Sequence, residues 1–185
     1  MRRLIPPFAA AVLALSMAGS AFAAAPVTVT VGPDLAKKTK SYGARDVEEV
    51  RKWLAEAAEH ALNRPGAKPI ARADLVLADA VPNRPTFNQL GRNTSLSMLG
   101  SVGLGGAKIT GTVTGTDGVV RPLTFAFYET SLQNERGATT WFDAERAFDM
   151  LSSKIAKGDI PQQTRMLSPT GTGLFGERNG DSLIE

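Results

Sequence analysis

His60 is the one histidine of a chain that contains no cysteine. A hydrolytic triad would need an acid placed to orient this imidazole, and the sequence has no Gly-x-Ser-x-Gly elbow to supply a nucleophile. A metal site at His60 would have to be completed mainly by carboxylates, because the chain offers neither a thiolate nor a second imidazole. We therefore expect no catalytic residue, no metal ligand and no cofactor, and we place His60 near the C-terminal end of a helix.

Two further patterns resemble functional sites but lack the required geometry. The glycine-rich run from Gly100 to Lys108 has no Gly-Lys-Ser/Thr and leads into a predicted strand, so it does not predict a phosphate-binding loop. Asp74 and Asp79 lie five residues apart on a predicted strand, and we expect them on opposite faces. Asp143 falls in the first turn of a predicted helix, where negative charge stabilises the helix by itself. None of these patterns predicts hydrolysis.

The best candidate for binding is the 82–106 loop (Pro82 to Gly106). Connections this long inside a small domain are often functional, and aromatic and arginine side chains favour recognition. The candidate binding residues are Arg84, Phe87, Asn88 and Arg92. The alternative is that Phe87 and Leu90 pack beneath the domain. The threonine-rich face of the strand that follows is a second candidate surface, although threonine equally suits a solvated sheet face.

The elements that must position this loop follow from hydrophobic periodicity. Alternating residues predict strands, apolar residues three or four apart predict helices, and Asp117-Gly118 predicts a hairpin turn. The predicted elements are a strand at 27–31, a helix at 45–62, strands at 73–81, 108–116 and 119–130, and a helix ending at Gly158. We expect the last helix to open at Thr140 with Asp143 as its capping partner, and we interpret Gly32 to Gly43 as a polar connection.

These elements predict an α+β fold. Each helix has a single apolar stripe, so we expect a two-layer sandwich: a mixed, mostly antiparallel sheet of about four strands with two helices on one face. We expect a single α/β domain over residues 24–158. The glycine- and proline-containing segment 159–185 has no hydrophobic period and is predicted to be a disordered or loosely docked tail.

The first 23 residues have the pattern of a secretory signal peptide. Arg2 and Arg3 form the basic region, an apolar run follows, and Ala21-Phe22-Ala23 forms a small-x-small cleavage site that ends at the Ala23–Ala24 bond. The alternative is an uncleaved anchor, because the uncharged run from Leu4 to Ala25 is about long enough to span a bilayer. We expect cleavage and therefore a periplasmic or secreted protein of a Gram-negative bacterium, with no membrane attachment after cleavage.

The nearly balanced numbers of basic and acidic residues argue against nucleic acid as a partner. The whole chain has 21 basic and 18 acidic residues, and loss of Arg2 and Arg3 would leave 19 basic residues and a net charge of +1. A balanced surface lacks the basic footprint that nucleic-acid binding requires. With no cysteine there is no disulfide framework and no site for lipid attachment at the N-terminus.

Several short segments resemble uncharacterised Gram-negative envelope proteins, many of them lipoproteins. The resemblance lies in Asp74 through Pro82-Asn83-Arg84-Pro85, Gly105-Gly106-Ala107, Tyr128-Glu129 and Trp141 to Phe148. More distantly, the layout is similar to the periplasmic α/β domains of curli-secretion lipoproteins and penicillin-binding-protein activators. The resemblance spans about residues 70–157 and implies location and fold rather than an activity.

From this we expect a non-enzymatic binding or accessory protein of the cell envelope, with another envelope protein as its partner. The sequence leaves two alternatives open: a periplasmic hydrolase whose site is not recognisable, and a carrier of a small apolar ligand. A cleft with clustered, perturbed carboxylates would favour the hydrolase. An empty apolar cavity would favour the carrier.

Export predicts a defined N-terminus. The protein recovered from a periplasmic fraction should begin at Ala24, because the small residues before it suit signal peptidase. Intact-mass spectrometry checks this, and a full-length species retained in the inner membrane would contradict it.

Overall fold

The computed structural model describes residues 25–135 and 138–162. The predicted signal peptide with its Ala23–Ala24 cleavage site lies outside the described residues, as does the predicted tail from residue 163 onward. All statements below concern the described residues.

The chain forms one four-stranded sheet in the order β1-β2-β3-β4, with β1 parallel to β2 and the remaining pairs antiparallel. The elements are β1 (Val27–Val31), α1 (Pro33–Tyr42), α2 (Ala44–Asn63), β2 (Ile70–Val81), α3 (Phe87–Arg92), β3 (Gly106–Gly115), β4 (Val120–Tyr128), a 3-10 helix (Leu132–Glu135) and α4 (Phe142–Ala156). This confirms the predicted α+β class and its mixed, mostly antiparallel sheet.

Helices α2 and α4 cover the apolar face of the sheet, and they also pack on each other. Their buried residues recur at three- and four-residue intervals, which is why the stripes were visible in the sequence. In β3 the alternation places Ile109 and Val113 in the core, while the threonines between them are half-buried. Phe125 of β4 is buried and Phe127 is packed partly against the core.

The prediction of a polar connection from Gly32 to Gly43 is wrong, because most of this segment is helix α1. Pro33 occupies the first turn, where its missing N–H is not needed, and Asp34 and Lys40 complement the helix dipole at its two ends. Leu35 and Tyr42 lie two turns apart and are both buried. Leu35 and Tyr42 are the two buried residues of α1, and lysines dominate the rest of its sequence, so the pattern resembles a polar connection.

The expectation that Asp74 and Asp79 lie on opposite faces is also wrong. The pairing of β2 with β3 shifts register between Leu77 and Asp79, and an extra residue there reverses the alternation. Both aspartates therefore lie on the face away from the core. Each is paired separately: Asp74 with Arg72 at 2.6 Å and Asp79 with Lys38 at 2.7 Å.

Helix α4 begins later than predicted, at Phe142, with Trp141 in the N-cap position and no side-chain cap. The Thr140 hydroxyl does not cap the helix. Asp143 is not a capping partner either, because its carboxylate is directed into a buried cluster described below. The helix ends at Ala156, and Gly158 then adopts a φ of 78°, as the predicted glycine stop requires.

The first residues after α4 return to the sheet. The Pro161 carbonyl accepts a hydrogen bond from the Thr124 N–H at 2.8 Å, and Ile160 packs partly against the core. The beginning of the segment predicted as a tail is thus docked on β4.

Candidate functional site

The 82–106 loop contains a short helix, α3, that is set by a capping box. The Thr86 hydroxyl accepts a hydrogen bond from the Gln89 N–H, and the Gln89 side chain accepts one from the Thr86 N–H at 2.9 Å. Both side chains are buried. The Thr-x-x-Gln spacing is a recognised helix-start signal, and it could have predicted this turn from sequence.

Three of the four candidate binding residues anchor the loop to the domain. The Arg84 guanidinium donates to the carbonyls of Ala138, Met98 and Leu99. The Asn88 amide donates to the Lys40 and Ser41 carbonyls at the end of α1, and Arg92 donates to the Lys40 carbonyl as well. Their hydrogen-bonding groups therefore satisfy backbone carbonyls within the protein.

Phe87, the fourth candidate, is 78% exposed. The alternative in which Phe87 packs beneath the domain does not hold, although Leu90 is half-buried. Leu99, farther along the same loop, is 84% exposed. The loop thus combines a backbone held by internal hydrogen bonds with two large apolar side chains in solvent. The binding role of Arg84, Phe87, Asn88 and Arg92 stays a prediction.

Asn83, at the start of the loop, is fully buried and hydrogen-bonded at every polar group. Its backbone N–H donates to the Thr140 carbonyl at 2.7 Å, and its carbonyl accepts from the Gly103 N–H at 2.8 Å. Its side-chain amide donates to the carboxylates of Glu135 and, at 2.6 Å, Asp143. Its side-chain oxygen accepts from the Asp143 N–H at 3.0 Å.

Around Asn83 lies the acidic cluster, which consists of Glu129, Glu135 and Asp143. Glu135 and Asp143 are fully buried and Glu129 is 8% exposed. One oxygen from each carboxylate can be chosen so that the three lie within 4.8 Å of one another, which is a spacing that could hold a metal ion. Arg146 pairs with Glu129 at 3.1 Å and with Asp143 at 3.0 Å. The Gly105 N–H also donates to Asp143.

The carboxylates of the cluster differ in their electrostatics. The Thr130 N–H and the Arg146 guanidinium hold the pKa of Glu129 below its ordinary value, because both favour the charged form. Burial raises the pKa of Glu135 to about 7, and the neighbouring Asp143 carboxylate adds to the rise. Glu129 is therefore ionised at neutral pH, whereas Glu135 is poised to hold a proton.

Sequence reasoning missed this cluster. Asn83 and Asp143 are 60 residues apart, and Glu135 comes from a 3-10 helix with no periodic signal. The position of Asp143 in the first turn of a predicted helix indicates only that its negative charge stabilises that helix. Asn83, Gly105, Glu129 and Asp143 nevertheless lie in the short segments on which the predicted resemblance to envelope proteins is based. His60 is exposed and lies in the last turn of α2, near the C-terminal helix end where the sequence placed it.

Comparison with known proteins adds little. No protein-family model and no curated protein matches the chain. Among solved structures, the chain is similar to a minor lipoprotein from Acinetobacter baumannii, with a TM-score of 0.30 and 13% identity, covering 75% of this chain and 97% of that chain. A TM-score of 0.30 does not indicate a shared fold. None of the helices in the described ranges is both long and apolar enough to cross a bilayer.

The close approach of Gly105 to Asn83 predicts the effect of a methyl group there. A Cβ at position 105 would overlap the Asn83 side-chain amide, which is buried and cannot move aside. Gly105→Ala should lower the free energy of unfolding by about 1–3 kcal/mol, as overpacking usually does. Chemical denaturation measures this loss.

Gly91→Ala in α3 is the matched control, because a Cβ there meets nothing within 4 Å. It should be neutral or slightly stabilising, since alanine is the better helix former. Equal effects of the two substitutions would show that Asn83 does not restrict this approach.

The raised pKa of Glu135 predicts a pH-dependent stability. Between the ordinary value of 4.5 and about 7 the folded state holds a proton that the unfolded state has released, so stability should fall as pH rises across this window. Glu135→Gln stays neutral, and in chelator-treated buffer it should melt a few degrees above the wild type at pH 8. At pH 4.5 the two melting temperatures should converge. Parallel melting curves at both pH values would contradict the assignment.

Proposed function

We propose that this protein is an exported, non-enzymatic binding or accessory protein of the cell envelope. It contacts another envelope protein through the apolar side chains on the 82–106 loop. The observation that carries this proposal is the exposure of Phe87 (78%) and Leu99 (84%) on a loop whose Arg84 and Asn88 side chains are engaged in internal hydrogen bonds.

The anchoring of the loop supports this proposal. Binding costs less when a recognition segment is already ordered, because fewer conformations are lost on association. Arg84 fixes the backbone that carries Leu99, and the Thr86–Gln89 capping box fixes the turn that carries Phe87. Large apolar side chains held in solvent by an ordered loop are typical of a contact surface.

The surroundings of the carboxylates favour binding over hydrolysis. Glu135 and Asp143 lie together in the acidic cluster, and both are fully inaccessible. A general acid or base has to reach the proton that it transfers, and in this conformation a substrate cannot approach either carboxylate.

The lining of a groove between α2 and α4 argues against the alternative function, a carrier of a small apolar ligand. The groove is lined by Trp53, Ala57 and Phe148, but Glu56, Glu145 and Asp149 form the rest of its wall. Sites for apolar ligands are lined predominantly by hydrophobic side chains, so this mixed lining does not favour such a ligand.

Site-specific photo-cross-linking in living cells tests the proposal. A photoreactive phenylalanine analogue at position 87 or 99 should form one discrete adduct with an envelope protein. The same analogue at Val120, which is 59% exposed on β4, is the control and should not form this adduct. Phe87→Ala should abolish co-purification of the cross-linked partner while changing stability by less than about 1 kcal/mol.

Two results would overturn the proposal. One is the absence of an adduct at both loop positions, and the other is an equally strong adduct at the control position. Recovery of the protein in the cytoplasm would separately contradict its placement in the envelope.

A further inference from the structure

The acidic cluster holds more negative charge than its neighbours neutralise. Glu129 and Asp143 share one cation, Arg146, at 3.0–3.1 Å. Glu135 has no ion pair with any lysine or arginine in the part of the chain that the structure describes. With all three carboxylates ionised the cluster carries a net charge of about −2, and such a charge inside a protein needs a counter-ion.

A second, independent observation is that one carboxylate oxygen of Glu135 lacks a hydrogen-bond partner among the described residues. Glu135 is fully buried, and within the described residues its Oε1 has no hydrogen-bond partner. The other oxygen, Oε2, accepts from the same Asn83 amide that donates to Asp143, so this carboxylate lies inside the cluster. Buried polar atoms are nearly always satisfied, and an unsatisfied carboxylate oxygen among other carboxylates points to a missing positive ligand.

We propose that Glu129, Glu135 and Asp143 form a binding site for a hard divalent cation, Ca²⁺ or Mg²⁺. All of the donors are carboxylate oxygens, which these two ions prefer, and thiolate and imidazole donors are absent from the cluster. Three carboxylate oxygens within 4.8 Å of one another are close enough to contact one ion. A charge of +2 brings the cluster to neutrality, whereas one proton would leave an excess negative charge.

Such an ion would connect three parts of the fold. Glu129 directly follows β4, Glu135 lies in the 3-10 helix, and Asp143 lies in the first turn of α4. Through Asn83 the same site reaches the start of the 82–106 loop. The cation would therefore cross-link these parts and stabilise the folded state. This inference does not depend on the proposed contact with an envelope protein.

Cation titration of the whole exported protein tests the inference. Protein stripped with EDTA and dialysed is titrated separately with CaCl2 and MgCl2 in a calorimeter, and its melting temperature is measured at 5 mM of each salt. We expect one site per chain for at least one of the two ions and a rise of several degrees in melting temperature, because an ion that binds only the folded state stabilises it.

Glu135→Gln removes the unpartnered carboxylate and should weaken cation binding at least tenfold. The matched control is Glu145→Gln, an exposed acid in the same first turn of α4, which should bind the ion like the wild type. Glu129→Gln is the second test variant if Glu135→Gln does not fold, and circular dichroism checks the fold of each. Absence of binding by both ions would overturn the inference, and so would binding that persists unchanged in the folded test variant.

Discussion

The buried side chain of Asn83 is the contact on which the arrangement of the loops depends. Its carboxamide donates to two carboxylates and accepts from the Asp143 N–H, while its backbone bonds to Thr140 and Gly103. A buried amide with every polar group bonded specifies one arrangement, because any displacement leaves donors or acceptors unpaired in the protein interior. Asn83 thereby fixes both ends of the 82–106 loop relative to α4.

Several features of the neighbouring sequence follow from this contact. Gly105 has to lack a side chain because the Asn83 amide occupies the space that a Cβ would fill. Asp143 is unavailable as a helix cap because its carboxylate serves Asn83, Gly105 and Arg146. Arg84, one of the predicted binding residues, donates to the Met98 and Leu99 carbonyls within the loop and to the Ala138 carbonyl outside it, so its guanidinium also helps to hold the loop to the domain. The exposed side chains of the loop include two large apolar ones, Phe87 and Leu99.

Much of the sheet and its two main helices could be predicted from sequence, because their burial is periodic. Helix α2 and strand β3 present one face each to the core, so their buried residues recur in the sequence with periods of 3.6 and 2. Helix α1 was missed because only Leu35 and Tyr42 are buried among its lysines. The face of Asp79 was missed because a bulge in β2 leaves no trace in composition. The acidic cluster was missed because its members lie in different elements with no shared period and meet around Asn83, which is 52 residues from Glu135 and 60 from Asp143.

Native-state hydrogen exchange of the wild type and of Asn83→Ala tests this central role most directly. The substitution removes the acceptor of the Asp143 N–H and the partner of two carboxylates, while the sheet retains its own ladder. We expect the amides of Asp143, Gly105 and α3 to lose far more protection than those of Ile109 and Val113 in β3. An equal loss at all of these amides, or no loss in the loop, would contradict the account.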